Sequence, residues 1–178
     1  MNLYYVIDRV PEFPYFVLAL AFVFTNPPEA SLHVFSVAFI FMVASIFLGL
    51  SIKVLFKTKR PVNYPCVPIA RYDIPSLHTL ISVGAVAFTY FVNPLYAFIL
   101  APVGVFYMYS RVRLCVHTKK AVYVGALVGL VMGVFFGMSL HVLSFPGYEH
   151  LLTAFFFLTP VSATVFRLRY LRYGPSSK

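Results

Sequence analysis

His33-Val-Phe-Ser-Val-Ala-Phe-Ile-Phe-Met-Val-Ala-Ser-Ile-Phe-Leu-Gly-Leu-Ser-Ile52 runs for twenty residues without a charge. A helix of about 20 apolar residues spans the hydrocarbon of a bilayer, and it satisfies its own backbone groups there. That stretch reads as a membrane span. Val122–Leu143 is a second, with Gly125, Gly129, Gly133 and Gly137 repeating every four residues. Such spacing lays a smooth stripe along one helix face and lets another backbone come close. Shorter apolar runs are Phe13–Thr25, Leu77–Val92, Leu95–Tyr109 and Leu151–Phe166. Pro14, Pro102 and Pro160 within them predict kinks, or ends that depend on neighbouring helices. The expected fold class is all-α: a polytopic membrane helical bundle of about six transmembrane helices, in a single domain over residues 1–178.

Composition supports that reading. The 178 residues are 61% hydrophobic and 11% charged, whereas a soluble domain is about a quarter charged. An aromatic content of 19% excludes disorder, and two cysteines in a chain this long exclude a disulfide scaffold. No cleavable signal peptide is expected, because Asp8 and Glu12 interrupt the start and no small-residue cleavage site follows a clean apolar run. Fourteen Lys and Arg stand against five Asp and Glu. A balance so basic ordinarily suggests nucleic acid. Here the charges sit between apolar runs, so the expected partners are the lipid bilayer and an anionic lipid, with no nucleic acid. With six spans, all fourteen cations fall on one side, in the N-terminus, Lys53–Ser76, Ser110–Ala121 and the tail. The positive-inside rule makes that side cytoplasmic.

Two connecting segments on that side carry nearly all the reactive groups. The first runs from Lys53 through Arg60-Pro61 to Pro75-Ser76-Leu77-His78, and the second from Ser110-Arg111 through Cys115 to His117-Thr118. Lys53, Arg60 and Arg111 offer positive charge and, in the arginines, forked donors matched to phosphate oxygens. Pro75-Ser76 falls where the third span should begin, and free N–H groups and the helix dipole favour an anion there. His78 and His117 are the groups best matched to proton transfer near neutral pH. Phosphoryl transfer asks mainly for positioning and charge stabilisation, which two histidines in a ring of cations meet without a metal. Taken singly, each residue has a plainer reading. Lys53 at a helix end snorkels, Arg60-Pro61 marks a loop, and His78 is a satisfied polar residue on an apolar helix. Their ordered combination is what carries the chemistry.

Lys53, six residues, then Arg60-Pro61 resembles the first signature of the type 2 phosphatidate phosphatase superfamily. Pro75-Ser76-Leu77-His78 is similar to the second, usually Pro-Ser-Gly-His, with Leu77 in the place of glycine. Ser110-Arg111, five residues, then His117 matches the third. The resemblance covers about Lys53–Gly137. It implies a helical bundle and a lipid phosphatase with no metal or other cofactor, working through a phosphohistidine intermediate. By position, His117 would be the nucleophile and His78 the general acid and base. Lys53, Arg60, Ser76, Arg111 and the backbone N–H of Leu77 would hold the phosphate oxygens. The stretch from His117-Thr118 to Gly125 looks similar to the dolichyl-diphosphate phosphatase branch, so a polyprenyl diphosphate is the expected substrate. Phosphatidate or phosphatidylglycerophosphate is the alternative, and a transferase would use the same residues. In such families carrier-lipid recycling faces the external or lumenal side, against the charge map.

One departure matters. The signature ends with an Asp four residues after the histidine, a position on the same helix face, and here that residue is Ala121. The resemblance implies that the missing carboxylate would fix the tautomer of His117, as the Asp of a serine-protease triad does. Three explanations follow. The chain is a catalytically impaired relative that binds anionic lipid; a backbone carbonyl or Thr118 orients His117; or Asp73 reaches it from the other loop, although Asp73 would as readily pair with Arg60 or Arg71. A small transporter is a further rival, disfavoured because no acid lies within a span to relay ions. The extra cations Lys57, Lys59, Arg71, Arg113, Lys119 and Lys120 read chiefly as a solvated loop face. Cys66 and Cys115 share the motif side, where an oxidising compartment would let them pair. His33, His141 and His150 lack metal-ligand spacing and read as interface or capping residues.

Overall fold

The computed structural model describes residues 13–61 and 72–173. The described chain is all-helical, with six α-helices and no strand. These are α1 (Phe13–Thr25), α2 (Pro28–Phe56), α3 (Leu77–Val92), α4 (Pro94–Arg113), α5 (Lys119–Met138) and α6 (Glu149–Tyr173), with a 3-10 turn at Ser139–His141. Each expected apolar run falls in one of them, in order, except that Val122–Leu143 runs past the end of α5 and through the 3-10 turn. Three are long and apolar enough to cross a membrane: Pro28–Phe56, Pro94–Arg113 and Lys119–His141. Leu77–Val92 and Glu149–Thr159 are shorter apolar helices. Pro102 does not end its helix, and α4 runs on to Arg113.

The chain forms two compact units, Met1–Phe39 with Phe145–Lys178, and Ile40–Ser144. In the first, Phe35 is 5% exposed and lies between Phe22, Phe156 and Phe157, with ring centroids 5.8, 5.2 and 5.1 Å away. The Ser36 hydroxyl donates to the Glu149 carbonyl at 3.2 Å, and Thr153 Oγ1 donates to the Leu32 carbonyl at 3.2 Å. Glu149 Oε1 stands 3.6 Å from His33 Nδ1, so His33 is a helix-end residue with an acidic neighbour.

The second unit holds every motif residue. Its packing follows from the glycine stripe. A Cβ placed on Gly125 would stand 2.6 Å from the Ser76 carbonyl oxygen, and one on Gly129 or Gly133 would overlap the carbonyl of Leu80 or Gly84. The four-residue repeat on α5 thus meets a four-residue repeat of backbone carbonyls on α3, and only hydrogen fits between them. Phe41 from the inner half of α2 closes this core, stacked on Phe88 at 5.8 Å and edge-on to Phe136 at 5.9 Å. Outside the core, large apolar side chains such as Phe47, Phe98 and Leu127 are 74%, 79% and 64% exposed. An apolar surface of this kind suits lipid rather than water.

Candidate functional site

The site is built from two chain turns and one paired loop. Helix α2 ends at Phe56, and Lys57 just after it adopts φ 47° while its N–H donates to the Lys53 carbonyl at 3.0 Å. The chain then runs antiparallel to the segment that leads into α3. Lys59 bridges Tyr72, the Asp73 N–H donates to the Thr58 carbonyl at 2.8 Å, and the Ile74 N–H donates to Thr58 Oγ1 at 3.0 Å. The Ile74–Pro75 peptide is cis. This pairing holds Tyr72-Asp73 above the end of α2. Helix α4 ends at Arg113, and Cys115 at φ 54° turns the chain back. The Val116 and His117 N–H groups both donate to the Arg111 carbonyl, each at 3.2 Å. That turn delivers His117 to the start of α5. Left-handed backbone at two non-glycine residues costs of order 1 kcal/mol each. Both stand in the turns that shape the site.

Lys53 is fully buried, and its Nζ donates to the carbonyls of Tyr72 at 2.7 Å and Asp73 at 3.0 Å. Arg60 Nε donates to the same Tyr72 carbonyl at 3.0 Å. Asp73, 2% exposed, places Oδ1 2.7 Å from His117 Nδ1. Its Oδ2 accepts from the Thr118 hydroxyl at 2.6 Å, and the Thr118 N–H lies 3.4 Å from both carboxylate oxygens. Thr118 Oγ1 also caps α5 by accepting from the Ala121 N–H at 3.2 Å. The structure thus brings Lys53, Arg60, Asp73, His117 and Thr118 into one cluster, in which Lys53, Asp73 and His117 are buried, Arg60 is half-buried and Thr118 is exposed. His117 binds a proton less readily than a free imidazole, its pKa falling to about 4. Burial is the largest cause, followed by the positive charge of Arg60. The Asp73 contact opposes the shift, and Lys53 adds to it. His117 is therefore a neutral imidazole at neutral pH, with a lone pair available for attack.

The other motif residues surround this cluster. Ser76, fully buried, is the N-terminal cap of α3, and its hydroxyl accepts from Thr79 Oγ1 at 3.1 Å. Its N–H donates to the Ala121 carbonyl at 3.0 Å, so this donor is engaged within the protein rather than open to an anion as the sequence suggested. The bond ties the second motif to the helix that follows the third. Leu77 and His78 occupy the first turn of α3, both half-buried. Arg111 is 2% exposed in the last turn of α4 and is joined to His117 through its carbonyl. Lys57, Lys59, Arg113, Lys119 and Lys120 are exposed, as expected of a solvated face. Cys115 is a free, exposed thiol, and Cys66 and Arg71 lie outside the described residues.

Sequence reasoning placed Asp73 last among the groups that would orient His117. In the structure it is the one in contact with the ring, while the Thr118 hydroxyl turns to Asp73. The only sequence signal was that Asp73 is the sole acid near the motifs. Nothing announced that the carbonyls of Tyr72 and Asp73 would receive Lys53 and Arg60. No family model, curated protein or solved structure matches the chain.

Proposed function

We propose that this chain is an integral-membrane lipid phosphatase of the type 2 phosphatidate phosphatase kind. It would cross the membrane about six times, with the site on the positively charged, cytoplasmic side. The observation that carries the reading is His117: buried, neutral, hydrogen-bonded to Asp73 at one ring nitrogen and under the positive field of Arg60 and Lys53. A neutral imidazole held in place among cations is what attack on an anionic phosphorus centre requires.

In this mechanism His117 Nε2 attacks phosphorus, and the bond from phosphorus to the leaving oxygen breaks as His78 gives that oxygen a proton. His78 then takes a proton from water, whose oxygen attacks the phosphohistidine and returns His117 with release of inorganic phosphate. Lys53, Arg60 and Arg111, with the Leu77 N–H, would offset the charge on the equatorial oxygens. A lipid carrying two phosphates, such as a polyprenyl diphosphate, suits a site with this many cations, and phosphatidate or phosphatidylglycerophosphate is the alternative. The test is phosphate release in detergent, with chelator present, from a panel of those lipids. Turnover abolished by His117→Ala is the expected result. Folded protein that binds phosphate or vanadate but releases nothing from any lipid would overturn the enzyme reading in favour of an anionic-lipid binder.

A further inference from the structure

We propose that Asp73 is the positioning residue of His117, supplying from the loop before α3 the carboxylate that the third motif lacks at Ala121. This rests on the reading of His117 as the nucleophile and goes beyond it by assigning the tautomer and the group that sets it. A carboxylate only accepts hydrogen bonds, so the 2.7 Å contact from Oδ1 puts the proton on His117 Nδ1 and leaves Nε2 bare. The second carboxylate oxygen is committed elsewhere. The Thr118 hydroxyl accepts from the Ala121 N–H, so its own hydrogen goes to Oδ2, and the Thr118 N–H faces the carboxylate as well. The carboxylate is held at both ends.

Position 121 is closed to this role. Ala121 is fully buried, and its carbonyl already accepts from the Ser76 N–H at the α3–α5 junction. A carboxylate there would enter the close α3–α5 contact, beside Gly125 and the Ser76 carbonyl. The Asp73 backbone, by contrast, is fastened at several points: its N–H to Thr58, its carbonyl to Lys53, and the preceding Tyr72 carbonyl to both Lys53 and Arg60. Two cations that the resemblance assigns to phosphate thus also anchor the segment bearing the carboxylate.

The geometry makes Asp73→Asn informative. The Thr118 hydroxyl requires an oxygen on its side, so the new amide nitrogen must face His117 and donate to Nδ1. The ring proton then moves to Nε2, the atom that should attack. The test uses the full chain in detergent micelles with 15N-labelled histidine, His117 being assigned from the missing signals of His117→Asn. At pH 7 the wild type should show Nδ1 protonated and Nε2 bare, and Asp73→Asn should reverse them. In the phosphate-release assay kcat should fall about 10³- to 10⁴-fold, on the scale of the same exchange in a serine-protease triad, with KM changed less than about threefold. Ala121→Asp added to Asp73→Asn should recover nothing. A wild-type spectrum with the proton on Nε2 overturns the proposal without any variant, as does an unmoved tautomer in folded Asp73→Asn, or recovery by Ala121→Asp. The spectra need no turnover. A chain that releases no phosphate yet shows the reversal sinks the phosphatase reading and leaves Asp73 in place; normal turnover with an unmoved tautomer does the opposite.

Discussion

Replacing Gly125 with Ala adds one carbon where α5 meets the start of α3. That carbon would sit 2.6 Å from the Ser76 carbonyl oxygen, about 0.8 Å inside the 3.4 Å at which ordinary contact begins. The obstacle is backbone, so the helices must part by roughly that amount. The Ser76 N–H bond to the Ala121 carbonyl, now 3.0 Å, would then stretch past hydrogen-bonding range. Overpacking of this kind costs about 1–3 kcal/mol and the lost bond about 1. The better helix propensity of alanine returns about 1. The net is a loss of about 2 kcal/mol, or roughly 4–8 °C in the thermal midpoint of a chain this size. Gly104→Ala is the matched control. Its Cβ would meet Val86 Cγ2 at 3.5 Å and the Ser82 carbonyl at 3.9 Å, both ordinary contacts. There the propensity gain stands alone, and the midpoint should hold or rise. The assay is thermal unfolding in detergent followed by circular dichroism at 222 nm, with wild type and both variants side by side. Since Ser76 borders the proposed site, Gly125→Ala should also lower phosphate release, by up to about a hundredfold for a displacement near 1 Å. A Gly125→Ala midpoint equal to or above that of Gly104→Ala would refute the close-packing argument.

Two further outcomes are expected. Unfolded His117 takes up a proton from about pH 6.5 downward, whereas folded His117 resists protonation until about pH 4. Between those values the unfolded state holds more protons, so stability rises with pH. The contribution of His117 is complete above about pH 6.5 and is lost as pH falls through about 4. Unfolding midpoints taken across this window should fall less on acidification in His117→Gln than in wild type, and parallel curves would exclude a buried neutral imidazole. The second concerns topology. Cys115 is exposed beside the motif turn, so in a Cys66→Ser background an impermeant maleimide should label it only after cells are permeabilised. Labelling on intact cells would place the site on the external face instead.

The helices were legible because their cause is local. Uninterrupted apolar runs such as His33–Ile52 have no other way to satisfy a backbone in hydrocarbon, and the Gly125–Gly137 repeat announced a close contact before its partner was known. Proline was less decisive, since Pro102 sits inside a helix that continues past it. The spacing of Lys53, Arg60, His78, Arg111 and His117 pointed to one phosphate-directed site by resemblance, and the cluster of Lys53, Arg60 and His117 shows that part of that set meets in space. The group that touches His117 was another matter. Asp73 precedes it by 44 residues, and the contact depends on left-handed turns at Lys57 and Cys115, residue types that give no hint of that conformation. Sequence fixes which groups are available and which helices carry them, through short-range hydrophobic and backbone preferences. Only the tertiary structure decided that Ala121 is packed shut by Ser76 and that a carboxylate from the opposite loop meets His117. Those outcomes depend on ångström-scale distances between segments distant in the chain.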